Sequence, residues 1–135
     1  MIRGLPKGAR VVGRMARVKH NTRFEELLAF QIKSLGLPTP ERQYRFAKGM
    51  KRQFESDFAW PELKLLVEVE GGIWKRGGGA HSHPLDVERD IERRQYAVLL
   101  GFFVLPVITD EVTSGKAIAV IQRALAVRGW QRGLS

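Results

Sequence analysis

The chain has 135 residues, 44% of them hydrophobic, which suits one domain with its own core. Its 23 Lys and Arg against 14 Asp and Glu leave a formal net charge of +9, which points to an anionic partner, nucleic acid foremost. With no cysteine, disulfide frameworks, thiolate metal sites and cysteine nucleophiles are excluded. The longest apolar stretches, such as Ala97–Leu100 and Phe102–Ile108, are too short to span a bilayer, so a soluble, cytoplasmic protein with no membrane partner is expected.

Residues 1–20 carry Arg3, Lys7, Arg10, Arg14, Arg17 and Lys19 and no acid. Their spacing would line one helix face, although Gly4, Pro6, Gly8 and Gly13 weaken such a helix. The segment reads as a flexible basic N-terminal arm that orders on a phosphate backbone, with Arg10, Arg14, Arg17 and Lys19 among the contacts. An organelle transit peptide, for which the stretch is poor in serine, and a solvated tail are the other two readings.

The domain proper takes residues 21–135. Asn21 or Thr22 caps a helix from Arg23 on which Phe24, Leu27, Leu28, Ile32 and Leu35 share a face, and Gly36 and Pro38 stop it. At 100° per residue Glu25 falls at the margin of that face and Glu26 points away. Glu25 can therefore reach a site beside the core, or simply compensate the helix dipole.

Short strands follow. Tyr44–Phe46 is a candidate first strand and Lys48–Arg52 a basic turn, where Lys48, Lys51 and Arg52 are candidate phosphate contacts. Phe54–Trp60 and Leu63–Glu70 read as a hairpin joined at Pro61-Glu62. Leu63, Leu65, Val67 and Val69 face one way; Lys64, Leu66, Glu68 and Glu70 face the other. If Trp60 pairs with Leu63, Asp57 lies across from Leu66 and diagonal to Glu68, and any even-length loop keeps that parity. Asp57, Glu68 and Glu70 then share one face. Like charges so close call for a cation between them, and an all-oxygen donor set favours Mg²⁺ or Mn²⁺. The plain alternative is a wet sheet face with Lys64 as a salt-bridge partner.

In GGIWKRGGGAHSHP, Gly71, Gly72 and Gly77–Gly79 permit close approach to a backbone; Lys75 and Arg76 are candidate phosphate contacts, and Trp74 can stack on a base or plug the core. His81 and His83 have no further His or Cys nearby to complete a zinc site. A helix from Leu85 to Leu100 ends at Gly101, with Val87, Ile91 and Val98 expected inward and Arg94 on the same face, bridging to the acids or to phosphate, or snorkelling over the core edge. Asp90 and Glu92 open a D-x-E-R stretch on that helix. Phe102–Ile108 reads as a buried strand parallel to a neighbour, and Gly115–Arg128 as a last helix led by Ala117, Val120, Ile121, Ala124 and Leu125.

The stretches FEELLAFQ, PERQYRF, DFAWPELKLLVEVEGGIW, HSHPLDVERDIERRQYAVLLGFFVL and EVTSGKA, within roughly residues 23–118, resemble the PD-(D/E)XK nuclease superfamily. Within it, the chain is similar to small phage- and prophage-type endonucleases related to very-short-patch repair enzymes. The resemblance implies a single restriction-endonuclease-like α/β domain with an αβββαβ core, its mixed central sheet flanked by helices. It also implies that Asp57 and Glu68 hold metal, that Glu25 matches a helix acid that assists, and that His81 lies near the scissile phosphate. Glu70 stands where a Lys is commoner and would act as ligand or base, leaving Lys64 and His81 as substitute cations. The loop before His81 is slightly long, and Ala80 stands where Arg is usual.

The expected activity is Mg²⁺- or Mn²⁺-dependent endonucleolytic hydrolysis of DNA, with Asp57, Glu68, Glu70 and His81 as the catalytic set and Glu25 as a further metal ligand. The competing expectation is a catalytically inactive DNA-binding module on a degenerate nuclease fold. DNA is the expected partner, with a homodimer as the candidate assembly; if phage or prophage encoded, the protein would work in the cytoplasm of a bacterial host.

Overall fold

The computed structural model of the protein describes residues 22–71 and 84–133. The basic arm, with Arg10, Arg14, Arg17 and Lys19, and the loop residues Trp74, Lys75, Arg76, His81 and His83 lie outside the described residues.

Helix α1 covers residues 22–34. Leu28 and Ile32 are fully buried, and Phe24 and Leu27 pack partly against the same cluster, as the periodicity predicts. The helix stops where Gly36 takes a φ of +69°, a left-handed turn in which the Leu37 N–H reaches back to the Ile32 carbonyl at 3.1 Å. Leu35, expected on the buried face, is 41% exposed, and Leu37 beyond the turn enters the core in its place at 6%. The glycine turn redirects the chain, so helical periodicity no longer governs which residue points inward.

Strand β1 is Glu41–Tyr44, earlier than the expected Tyr44–Phe46, and Phe46 instead turns into a core cluster with Ala47. A 3₁₀ turn at Lys48–Met50, closed by Lys51 at φ 61°, forms the expected basic turn. Strands β2 (Ser56–Trp60) and β3 (Leu65–Glu70) form the antiparallel hairpin, linked by a second 3₁₀ turn at Pro61–Leu63 with Lys64 at φ 56°. The register is Trp60↔Leu65, Ala59↔Leu66 and Phe58↔Val67, so the link is longer than expected and Leu63 does not pair with Trp60. Parity nonetheless survives, because the slip is even. Asp57 and Glu68 follow the last of these pairs on the same side of the sheet.

Helix α2 (Pro84–Leu99) carries the chain across to β4 (Phe103–Ile108), which runs parallel to β3 from Leu65↔Phe103 to Glu70↔Ile108. The result is one four-stranded mixed sheet in the order β1-β2-β3-β4. β4 is thus an edge strand, and Phe103 is 56% exposed, against the expectation of a buried strand. Its apolar run reflects the parallel crossover and not cover on both sides. A short helix α3 (Thr109–Ser114), not anticipated from sequence, starts where the Glu111 carboxylate accepts the Ile108 N–H at 3.0 Å; Gly115 at φ 91° then turns the chain into α4 (Lys116–Val127).

Two apolar layers flank the sheet. On one face α1, α3 and α4 bury Leu28, Ile32, Val112, Ile121 and Leu125 against Phe58, Trp60, Leu65, Val67 and Val69. On the other, Ala97 of α2 joins Phe46, Ala47, Ala59, Leu66 and Phe102. The α/β class and the αβββαβ element order are therefore as expected. The orientation of α2 is not: Val87, Ile91 and Val98 are 41%, 46% and 70% exposed. The side of α2 that faces inward carries Arg93 and Ala97, one turn apart, because the sheet beneath offers carboxylates as well as apolar groups. Among the described residues no helix is long and apolar enough to cross a membrane.

Candidate functional site

The hairpin ladder ends early, and the acids gather there. The last backbone pair is Phe58↔Val67; beyond it the Val69 N–H is taken by the Asp57 carboxylate at 2.7 Å. The buried Ser56 hydroxyl points to the carbonyls of Phe58 and Val67, at 2.8 and 3.1 Å, meeting the demand of backbone groups that an opened ladder would leave unpaired. Side chains thus replace strand pairing at the end of the sheet where Glu68 projects.

Glu25 approaches from α1. It is 9% exposed and accepts the Gln43 side-chain amide at 3.0 Å. Gln43 sits in β1 at φ 50°, a left-handed conformation uncommon for a residue with a Cβ, and this kink accompanies the contact. Burial, followed by the charge of Asp57, pushes the Glu25 carboxyl up to about 7, and the two carboxyls share a hydrogen bond. Arg42, beside them, donates to Glu26 at 2.8 Å and opposes the rise.

Asp57 and Glu68 are also raised above the ordinary carboxylate range, in each case chiefly by burial. For Asp57 the Val69 N–H, Arg93 and the Glu25 hydrogen bond pull the other way. For Glu68 the Arg93 ion pair pulls down while Asp57 and Glu70 push up. Arg93 forks between the two elements, donating to Glu68 with one arm and to Asp90 with the other. Arg94, for which the sequence leaves open a bridge to the acids or to phosphate or a place over the core edge, pairs with Asp90 and is 55% exposed.

The expected pair of Asp57 and Glu68 is therefore together, with Glu25 added through Asp57 and Glu70 half-buried at the end of β3. Lys64 is not part of the cluster: it donates to the Leu100 carbonyl at 3.2 Å and lies 4.5 Å from the Phe102 ring, at the opposite end of β3. Lys48 and Lys51 are exposed on their turn, whereas Arg52 is held by Glu92 at 2.9 Å and stacks 5.1 Å from the Tyr96 ring. His81, Lys75 and Arg76 are outside the described residues. Sequence reasoning missed Gln43, Arg42 and Arg93. Arg93 had a signal, since it closes the D-x-E-R stretch one turn from both Asp90 and Ala97.

Among the described residues no group of three or more His, Asp or Glu is arranged to hold a metal ion. Asp57 and Glu68 form a pair instead, and Mg²⁺ commonly uses one or two carboxylates with water and substrate phosphate completing its shell. The donor chemistry fits such an ion: oxygen-only, raised chiefly by burial, and among the described residues offset by Arg93 and Arg42.

Among known proteins, the chain is similar to two from strains of Mycobacterium tuberculosis, the uncharacterized protein MT2308 and the uncharacterized protein Rv2248, each 34% identical over 92 residues. The match covers 67% of this chain and 32% of each relative, so the chain spans about a third of their length. No family model matches the chain, and no solved structure matches it.

Proposed function

We propose that the chain is a Mg²⁺- or Mn²⁺-dependent endonuclease that hydrolyses DNA phosphodiester bonds. One observation carries this reading: in a chain of net charge +9, acids from α1, β2 and β3 meet at an opened sheet end, and all three are raised by burial. A cluster of this kind costs stability, and strongly perturbed carboxyls gather at functional sites, which makes it a candidate site on physical grounds. The motif resemblance adds the substrate class, and the excess of Lys and Arg suits a phosphate backbone.

Asp57 and Glu68 would hold the ion, with Glu70 at the rim. Bound there, a divalent ion would neutralise charge on the phosphate and lower the pKa of a coordinated water. The Val69 N–H fixes the orientation of Asp57, and Arg93 keeps Glu68 ionised against burial. Glu25, near 7, holds or releases a proton at neutral pH beside Asp57, which suits it to general acid or base work. Lys48 and Lys51 remain open for phosphate contact.

The test is cleavage of plasmid and oligonucleotide DNA by purified protein with Mg²⁺ and with chelator. Cutting that needs the metal and fails in Asp57→Asn supports the reading. DNA binding without cutting under every metal condition would make the chain a DNA-binding module instead.

A further inference from the structure

Glu68 is the most buried acid of the cluster, its side chain 7% exposed, and its charge partner is the Arg93 guanidinium, 19% exposed. The same guanidinium also holds Asp90, one turn earlier on α2 and 38% exposed, which in turn binds Arg94. Arg93 therefore has two seats, one inside the site and one at its edge. A divalent ion at the Asp57–Glu68 pair would draw on the same Glu68 carboxylate whose Oε2 Arg93 now engages. Two cations sharing one carboxylate repel each other, so each weakens the other's hold on it. The Asp90 seat lets Arg93 leave Glu68 without becoming an unpaired, partly buried charge.

We propose that Arg93 is an internal counter-ion that occupies Glu68 in the resting protein and is displaced onto Asp90 when a divalent cation binds. Asp90, which touches neither the ion nor Asp57, then tunes the metal affinity of the site. The proposal rests on the metal-dependent reading above and assigns Arg93 a competing role, not that of a passive strut. A strut would hold Glu68 in place for the ion, and its removal would weaken metal binding. A competitor does the opposite.

The experiment is calorimetric titration of Mn²⁺ into the full chain without DNA, for wild type, Arg93→Gln, Arg93→Lys, Asp90→Asn and Glu68→Gln, with circular dichroism and melting curves for each. Arg93→Gln should bind Mn²⁺ about tenfold more tightly than wild type, within the range typical of coupled sites. Its melting temperature, lowered without metal, should rise more steeply with Mn²⁺ than that of wild type. Asp90→Asn should bind more weakly than wild type, since Arg93 loses its alternative seat. If Arg93→Gln does not fold, Arg93→Lys, which cannot span both carboxylates with one fork, carries the test and should also bind more tightly. Equal or weaker binding by the folded Arg93 variants, with wild type binding normally, overturns the displacement and leaves the metal site standing. Mn²⁺ heats that are the same for wild type and Glu68→Gln overturn the metal reading itself, and the displacement with it.

Discussion

Asp57 accepts the Val69 N–H at 2.7 Å just beyond the last backbone pair of the β2–β3 ladder. One side chain thus has two roles that substitutions can separate, since an amide still accepts the hydrogen bond but no longer carries charge. Asp57→Asn should keep the fold and melt, without metal, at or above the wild-type temperature, because it removes a buried charge from a repelling cluster. Cleavage should fall by about 10²–10³-fold, the scale of losing a few kcal/mol of metal-borne charge stabilisation. Asp57→Ala should lose the activity and also about 1–3 kcal/mol of stability, because the Val69 N–H is left without its acceptor. Calorimetric melting of both variants makes the comparison. Equal melting temperatures would show that the hydrogen bond does not hold the opened ladder.

The second expectation concerns pH. Glu25, Asp57 and Glu68 are all raised in the folded protein, so their favourable protonated forms are fully populated only at low pH. For Glu25 the window runs from 4.5, the ordinary value, to about 7. Below it both folded and unfolded chains hold the proton; above it the folded chain has given up a proton it held more tightly than the unfolded one did. The stability lost across that window is on the order of 1–3 kcal/mol for Glu25 alone. Metal-free protein should therefore melt lower at pH 8 than at pH 5, and Glu25→Gln should flatten the fall. A melting profile of Glu25→Gln that parallels wild type over this range would remove Glu25 from the cluster.

The acid pair was legible in the sequence because strand parity survives an even slip. The expected pairing of Trp60 with Leu63 was wrong, yet Asp57 and Glu68 still came out on one face, near enough for the Asp57 charge to raise Glu68. Helix α2 departs from the expected orientation because Val87, Ile91 and Val98 make a plausible inner face, while its inward side meets the Glu68 carboxylate at Arg93 as well as the apolar cluster at Ala97. Hydrophobic periodicity reports burial only where the opposing surface is apolar. Gln43 was invisible for another reason: its role depends on a φ of 50°, and no glycine or asparagine marks the position.

That left-handed glutamine gives a third test. Gln43→Gly relieves the backbone cost of φ 50° but removes the amide held 3.0 Å from Glu25; Gln43→Ala removes the amide and keeps the cost. Gly should therefore be the more stable variant by about 1 kcal/mol. In both, Glu25 should titrate higher than in wild type, because the Gln43 amide stabilises its charged form. Carboxyl-carbon NMR of Glu25 would follow this directly. An unmoved titration in both variants would mean that the amide contact is incidental.

Glu70 poses the last question, since it ends β3, half-buried, where its charge already raises Glu68. As a working ligand or base, it should not tolerate Glu70→Lys, even though Lys is the commoner residue in the resembled pattern. The ammonium would relieve repulsion at Glu68 and raise metal-free stability, but it would also repel a divalent ion from the same carboxylate. Glu70→Gln keeps the size and removes charge and basicity together. A titration of cleavage against Mg²⁺ separates the roles. If Glu70 is a ligand, Glu70→Gln should need about tenfold more metal and regain the wild-type plateau, the shift that about 1.4 kcal/mol of lost binding produces. If it is a base, the metal midpoint should hold while the plateau drops by about 10²-fold or more, beyond rescue by metal. If it is only a rim residue, both variants should cut at wild-type rates, since surface substitutions of this kind rarely shift stability by more than about 0.5 kcal/mol. Unchanged curves for both would leave Asp57 and Glu68 as the metal-holding pair, with Glu25 as the acid that completes the site.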